Sequence, residues 1–290
     1  MAPKPLALAA VLSLFGSDAP PPTPASAAAS DRPAIDPALD RAAIEVSIGH
    51  YFQAGDSASS SELREAFHPA AMMFFVREGA LRGVSQPEWW ARTDSTKSAV
   101  AALSRQIPVV EVDGTGTIAV AKVLSVYPTH RFEDYMTLAK LDGRWWIVGK
   151  IFHRTAPPDS PAPSAAAVDA ERNAIRARLE SFDRALDTND PELAASVTDP
   201  RAMAYTLIEG RLVGISAAEG QARLAARRAS GETVKATRRI AMVDSEGDAA
   251  VARLEHDLPT GRWIDYASLL KVGGQWRIVG LIYARQEEAR

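Results

Sequence analysis

The chain has 290 residues, too many for one typical domain and comfortable for two of about 120. With 33 basic and 36 acidic residues the charge is nearly balanced, so the composition suggests neither a nucleic-acid footprint nor a strong membrane-surface field. The absence of cysteine excludes disulfides, thiolate catalysis, cysteine-ligated metal and a lipoprotein anchor.

At the N-terminus, Lys4 precedes the apolar run LALAAVLSLF (residues 6–15), and Ala25-Ser26-Ala27 follows as a cleavage-type site. The run is too short to span a bilayer as a helix. An export signal is therefore expected over residues 1–37, together with an Ala/Pro-rich stretch that does not pack. The mature protein is then periplasmic or secreted, with no integral membrane segment; without export it is cytoplasmic. Next, Asp40 to Ala54 places Ile44, Ile48, Tyr51 and Phe52 on one helical face, and Gly55-Asp56 ends the helix. A short helix is expected from Ser61 to Phe67. His68-Pro69 then breaks the chain into a strand, Met72 to Val76, which Gly79 turns back. Ser85, with Glu88 three residues on, has the capping-box spacing of a third helix. Four long strands follow, at about 105–113, 117–127, 131–141 and 145–153, with Asp113-Gly114 among their turns.

Residues 155–168 form a Pro/Ala/Ser linker, and after it the pattern starts again. RFEDYMTLAKLDGRWWIVGKIFHR (131–154) returns as RWIDYASLLKVGGQWRIVGLIYAR (262–285), displaced by 131 positions. Glu78-Gly79, Leu81, Gly83 and Ser85 recur as Glu209-Gly210, Leu212, Gly214 and Ser216. A repeat this long is a duplicated domain, copy one at 38–154 and copy two at 169–290. Helices followed by an antiparallel meander give an α+β fold, with helices on one face of each sheet. In strict alternation the last strand sets Trp145, Ile147, Gly149 and Ile151 against Trp146, Val148 and Phe152, so both faces are apolar. The second face needs a cover, and the sheet of the other copy is the one at hand. An intramolecular pseudo-dimer, sheet against sheet, is predicted, within a monomer.

On Gly55-Asp56, Phe67-His68-Pro69 and the run from Asp134-Tyr135 through Lys140, Gly143-Arg144-Trp145, Ile147-Val148 and Lys150-Ile151-Phe152-His153, the chain resembles the nuclear transport factor 2-like (SnoaL-like) superfamily. Within it, the lumazine-binding branch is the nearest pattern. Copy two keeps the C-terminal run but reads Thr198-Asp199-Pro200 and ends Leu281-Ile282-Tyr283-Ala284. The resemblance implies cone-shaped domains, each with about three helices on a curved, mostly antiparallel sheet, and a pocket between them. It leaves function open, because this fold hosts isomerases, dehydratases, hydrolases, transport factors and non-catalytic dimerisers. Ketosteroid isomerases of this fold use acids and a tyrosine at places that hold Phe75, Ile48 and Thr137 here, so that chemistry is not expected.

Candidate residues lie mainly where the copies differ. Trp89-Trp90 (Gly220-Gln221 in copy two) opens the third helix, and an indole there suits a flat ligand. His68 (Asp199) starts a strand near the pocket mouth, as a base, a ligand contact or a cap on the backbone beside Pro69. His153 (Ala284) ends the last strand, Arg77 could neutralise an acidic group, and Tyr51 and Phe75 supply rings. Asp134 is the other weak candidate base, with its neighbour Tyr135 on the opposite face of the strand. No H-x-H or H-x₃-H spacing suggests a metal, and no cofactor is expected. Arg227-Arg228 and Arg238-Arg239 read as a solvated face rather than a nucleic-acid surface. A non-catalytic protein that binds a small apolar or heteroaromatic molecule is expected, with a SnoaL-like isomerase or lyase and a ligand-free interaction module as the alternatives.

Overall fold

The computed structural model describes residues 37–95, 102–112 and 116–286. The export signal and the Asp113-Gly114 turn lie outside these residues. Copy one runs α1 (Pro37–Ser57), α2 (Ser60–Ala66), β1 (Phe67–Arg77), β2 (Ala80–Ser85), α3 (Gln86–Ser95), β3 (Ser104–Val112), β4 (Ile118–Val126), β5 (Arg131–Leu141) and β6 (Arg144–Thr155). Copy two repeats the order as α4 (Ala165–Thr188), α5 (Pro191–Val197), β7 (Thr198–Ile208), β8 (Arg211–Ser216), α6 (Ala217–Ser230), β9 (Thr237–Glu246), β10 (Ala249–Leu258), β11 (Gly261–Val272) and β12 (Gln275–Gln286). Each copy has a six-stranded sheet, ordered β2-β1-β6-β5-β4-β3 and β8-β7-β12-β11-β10-β9. Among the described residues, only the β1–β6 and β7–β12 pairs are parallel.

The boundaries differ from the sequence reading in instructive places. Helix α4 starts at Ala165, inside the expected linker, because the Ser164 hydroxyl accepts from Ala167 N at 3.3 Å and the alanines that follow favour helix. Strand β1 starts at Phe67, so His68-Pro69 sits inside a bulged strand rather than before it. The expected capping box is complete only at α6, where the Ser216 hydroxyl accepts from Glu219 N. At α3 only the reverse half forms, with Ser85 N donating to Glu88 at 2.9 Å.

The repeated Lys and Trp of the C-terminal run anchor the first helix of each copy. Asp40 on α1 accepts from Lys140 Nζ at 2.7 Å and from Trp145 Nε1 at 3.0 Å. Glu171 on α4 takes the same two bonds from Lys271 and Trp276, at 2.5 and 2.8 Å. Each buried indole N–H is thereby satisfied while its ring fills the helix-facing core.

Strict alternation fails on the last strands. A register shift lies between Thr137 and Leu138 in the β5–β6 pair, and another between Ser268 and Leu269 in β11–β12. Beyond each bulge the faces exchange. Trp145 and Ile147 face the helices, but Ile151 joins Val148 on the opposite face, and Phe152 turns to the helix side. Copy two likewise sends Val279, Ile282 and Ala284 to that opposite face. Gly149 permits the bulge: a Cβ there would lie 2.6 Å from Thr137 Oγ1.

The opposite faces form one core. Val120, Tyr135, Val148 and Ile151 of copy one pack with Val251, Tyr266, Val279 and Ile282 of copy two. Polar contacts rim it: Tyr205 Oη donates to Ala70 O at 2.6 Å, Gly273 N to Gly79 O at 2.9 Å, and Lys122 pairs with Asp244 at 3.0 Å. The pseudo-dimer is therefore sheet on sheet within one chain.

Candidate functional site

Copy one holds a partly open cavity of about 420 Å³ between α1, α2, α3 and the concave sheet face. Rings dominate its wall: Tyr51 and Phe52 from α1, Phe75 from β1, Trp89 from α3, Tyr127 after β4, and Phe152 from β6. Phe75 and Phe152 stack at 5.0 Å between centroids, and Trp89 lies edge-on to Phe67 and Tyr51, at 5.0 and 6.1 Å. The bulge at Gly149 is what brings Phe152 into this wall.

The polar parts of the wall are few. Arg105 on β3 holds Asp56 through two contacts of 2.5 and 2.6 Å, and its guanidinium lies 4.9 Å from the Phe52 ring. The pair is mutual: Arg105 holds the Asp56 carboxyl below its usual range, and Asp56 raises Arg105 against the effect of burial. Both terminal nitrogens of Arg105 are thus engaged, whereas its buried Nε has no partner. Arg92, Thr93 and Ser125 complete the polar lining.

A buried polar triad adjoins the cavity. Tyr51 Oη donates to Asp134 Oδ2 at 2.9 Å, and Lys150 Nζ donates to Asp134 Oδ1 at 2.6 Å. Asp134 is fully buried and the Lys150 side chain is 4% exposed. Burial lowers the Lys150 ammonium while Asp134 acts against that shift; burial, and then Asp134, raises the Tyr51 phenol well above its ordinary value. Tyr51 follows Ile48 by one helical turn, and Asp134 precedes Thr137 by one outward–inward cycle plus one residue. Alignment by position therefore missed a helix-one tyrosine and a fifth-strand acid that do meet.

The sequence candidates separate cleanly. Tyr51, Phe75 and Trp89 line the cavity. Trp90 does not; its ring lies under the Arg64 guanidinium at 4.0 Å. His68 Nδ1 accepts from Ala70 N at 3.1 Å and its ring abuts Trp146, so it caps its own turn outside the cavity. His153 sits on the face turned to copy two and meets Asp248 there at 2.6 Å. Arg77 is exposed at the end of β1. The copy-two arginines do not form one solvated face: Arg228 and Arg239 are exposed, but Arg227 turns inward, roughly 100° around α6 from Arg228, and Arg238 points to the opposite side of β9 from Arg239. Phe52, Arg105, Tyr127 and Phe152 were not anticipated, although the internal comparison marks three of them: Asp183, Leu258 and Tyr283 replace Phe52, Tyr127 and Phe152.

Those replacements change copy two. Asp183 (for Phe52), His256 (for Ser125) and Tyr283 (for Phe152) gather beside Asp265, the counterpart of Asp134. His256 Nε2 lies 3.3 Å from Asp265 Oδ2, and Arg238 donates to His256 Nδ1. Leu281 stands where copy one has Lys150. Burial pushes the Asp183 carboxyl up to about 6. Among the described residues no cluster of His, Asp or Glu has metal-holding geometry, and no helix is long and apolar enough to cross a membrane.

Fold and cavity define the class: two tandem α+β domains of the nuclear transport factor 2-like kind, with an aromatic pocket in the first. The chain belongs to the family described as "putative lumazine-binding", which matches residues 39–153 and again 170–284. Among curated proteins it is similar to the aldolase FrzH of Cladobotryum sp., 27% identical over 103 residues, 36% of this chain and 82% of that protein. Similar solved structures include an NTF2-like protein of unknown function from Shewanella baltica OS155, 25% identical, covering 42% of this chain and 98% of that one, with a TM-score of 0.39. Another, from Methylobacillus flagellatus KT, is 28% identical over 41% of this chain and 94% of its own, with a TM-score of 0.37.

Proposed function

We propose that the protein binds a flat, largely apolar or heteroaromatic small molecule in the copy-one cavity and performs no chemistry on it. The observation that carries this reading is the cavity itself: about 420 Å³, walled by six aromatic rings. Such walls reward a planar ligand through area and stacking. The unpartnered Arg105 Nε adds one donor suited to a carbonyl oxygen on the ligand. A bicyclic ring system of the lumazine type, which the family's description mentions, has that shape and polarity. Copy two then serves as the partner that completes the sheet-on-sheet core.

The experiment is a titration of the protein with lumazine, pterins, flavins and steroids, followed by tryptophan fluorescence and calorimetry. Binding that quenches fluorescence and weakens at least tenfold in Trp89→Ala is expected; His68→Ala should leave it unchanged. No binding to any of these compounds, or full affinity in Trp89→Ala, would overturn the reading.

A second reading, a SnoaL-like lyase or isomerase, draws on the Tyr51–Asp134–Lys150 contacts and on the similarity to an aldolase. Against it, both Asp134 oxygens are already committed to protein donors, which leaves no free base at the wall. Turnover of a bound carbonyl compound that disappears in Asp134→Asn, with binding retained, would favour this second reading.

A further inference from the structure

Copy two has a partly open apolar pocket of its own, displaced from the one in copy one. It measures about 50 Å³ and lies among α4, α5, α6, β7 and β8. Four replacements create it. In copy one this corner is filled by Phe67 and Trp89, packed edge to face at 5.0 Å. The repeat puts Thr198 and Gly220 at those places, and exchanges Leu63 and Met73 for Ala194 and Ala204. A Cβ built on Gly220 meets nothing within 4 Å. Conversely, Leu186 and Leu224 replace Gly55 and Thr93, closing the side on which the copy-one cavity reaches Arg105.

The lining is almost wholly hydrocarbon, from Phe182, Leu186, Ile215 and Leu224 among others. Water against such walls finds few hydrogen-bond partners, so an apolar guest that displaces it is favoured. One buried polar atom departs from this pattern. Thr198 is 7% exposed, lines the cavity, and its Oγ1 has no hydrogen-bond partner. Its backbone N–H is used, closing α5 onto Ala194 O, but the hydroxyl is not. Buried hydroxyls are rarely left so, and a guest that supplies the missing bond is favoured over one that does not.

We propose that copy two carries a second ligand site, independent of the first, which takes a short aliphatic group bearing one hydroxyl or carbonyl oxygen, with Thr198 as its hydrogen-bond partner. The two copies would then bind ligands of different chemistry, aromatic in the first and aliphatic in the second.

The test uses the full chain with labelled methyl groups and two probes, 1-butanol and xenon. Both should shift the methyls of Leu186, Ile215 and Leu224; those of Leu63 and Val84 report the copy-one cavity separately, so failure at one site is distinguishable from failure at the other. Thr198→Val should weaken 1-butanol about fivefold, the value of one hydrogen bond, and leave xenon unchanged. Gly220→Leu should abolish both shifts while the melting temperature holds; Ala204→Leu fills the space from β7 should that variant not fold. Absence of copy-two shifts with either probe, or their persistence in the filled variant, would overturn the site. An equal response of butanol and xenon to Thr198→Val would overturn the role of the hydroxyl.

Discussion

Gly149 and Lys150 show how adjacent residues can set a site without touching a ligand. The missing Cβ of Gly149 admits the bulge, and the bulge turns Lys150 and Phe152 toward the helices. Gly149→Ala should destabilise the protein by about 1–3 kcal/mol through its contact with Thr137, measured by denaturant unfolding, and Thr137→Ala should restore most of the loss. Gly280→Ala is the internal control: there the nearest atom to an added Cβ is Ser268 Cβ at 3.6 Å, an ordinary contact, so little change is expected. Lys150→Met leaves the Asp134 carboxylate buried without its cation and should cost about 3–5 kcal/mol, whereas Lys150→Met with Asp134→Asn should recover much of that. A pair whose double replacement is no milder than the single one would show that Lys150 acts through packing rather than charge.

At the scale of elements, the copies share their helix anchors and sheet order but differ in what fills the space beneath the helices. Copy two places Asp183 of α4 among His256, Asp265 and Arg238, where burial holds its carboxyl up at about 6, above the ordinary 3.8. A carboxyl raised on folding contributes stability that is fully present below its unfolded value and lost as pH rises through the folded one. Copy two should therefore lose roughly 2 kcal/mol between pH 4 and pH 7 from this group, and Asp183→Asn should flatten that slope in melts across the range. An unchanged slope would place the proton elsewhere. The elements themselves were legible in the sequence, since caps, Gly turns and a displaced repeat are local signals. The cavity was legible only in part: Tyr51, Phe75 and Trp89 stood on readable faces. Phe152 did not, because a period of two was carried through a bulge, and Arg105 and Tyr127 enter through tertiary pairing of distant strands that no local pattern records. His68 and His153, which also differ between the copies, sit in a turn and at the domain contact, so difference alone did not mark the cavity wall.

For the whole molecule, the apolar sheet faces make each copy depend on the other. Copy one alone would expose Val120, Tyr135, Val148 and Ile151 as one patch. Residues 37–160 expressed alone should dimerise or aggregate, while the full chain runs as a monomer in light scattering; a stable monomeric fragment would contradict the shared core. That core also changes what substitution can do. In a dimer of identical subunits every replacement appears twice, and a change that suits one pocket is imposed on the other. Joining the two halves through residues 155–164 removes that constraint, because each half keeps its partner at fixed proximity while its interior varies alone. The pairs Phe52 and Asp183, Trp89 and Gly220, and Lys150 and Leu281 record such unilateral change. The tether is thus what lets one fold hold an aromatic chamber on one side and a charged, partly aliphatic one on the other.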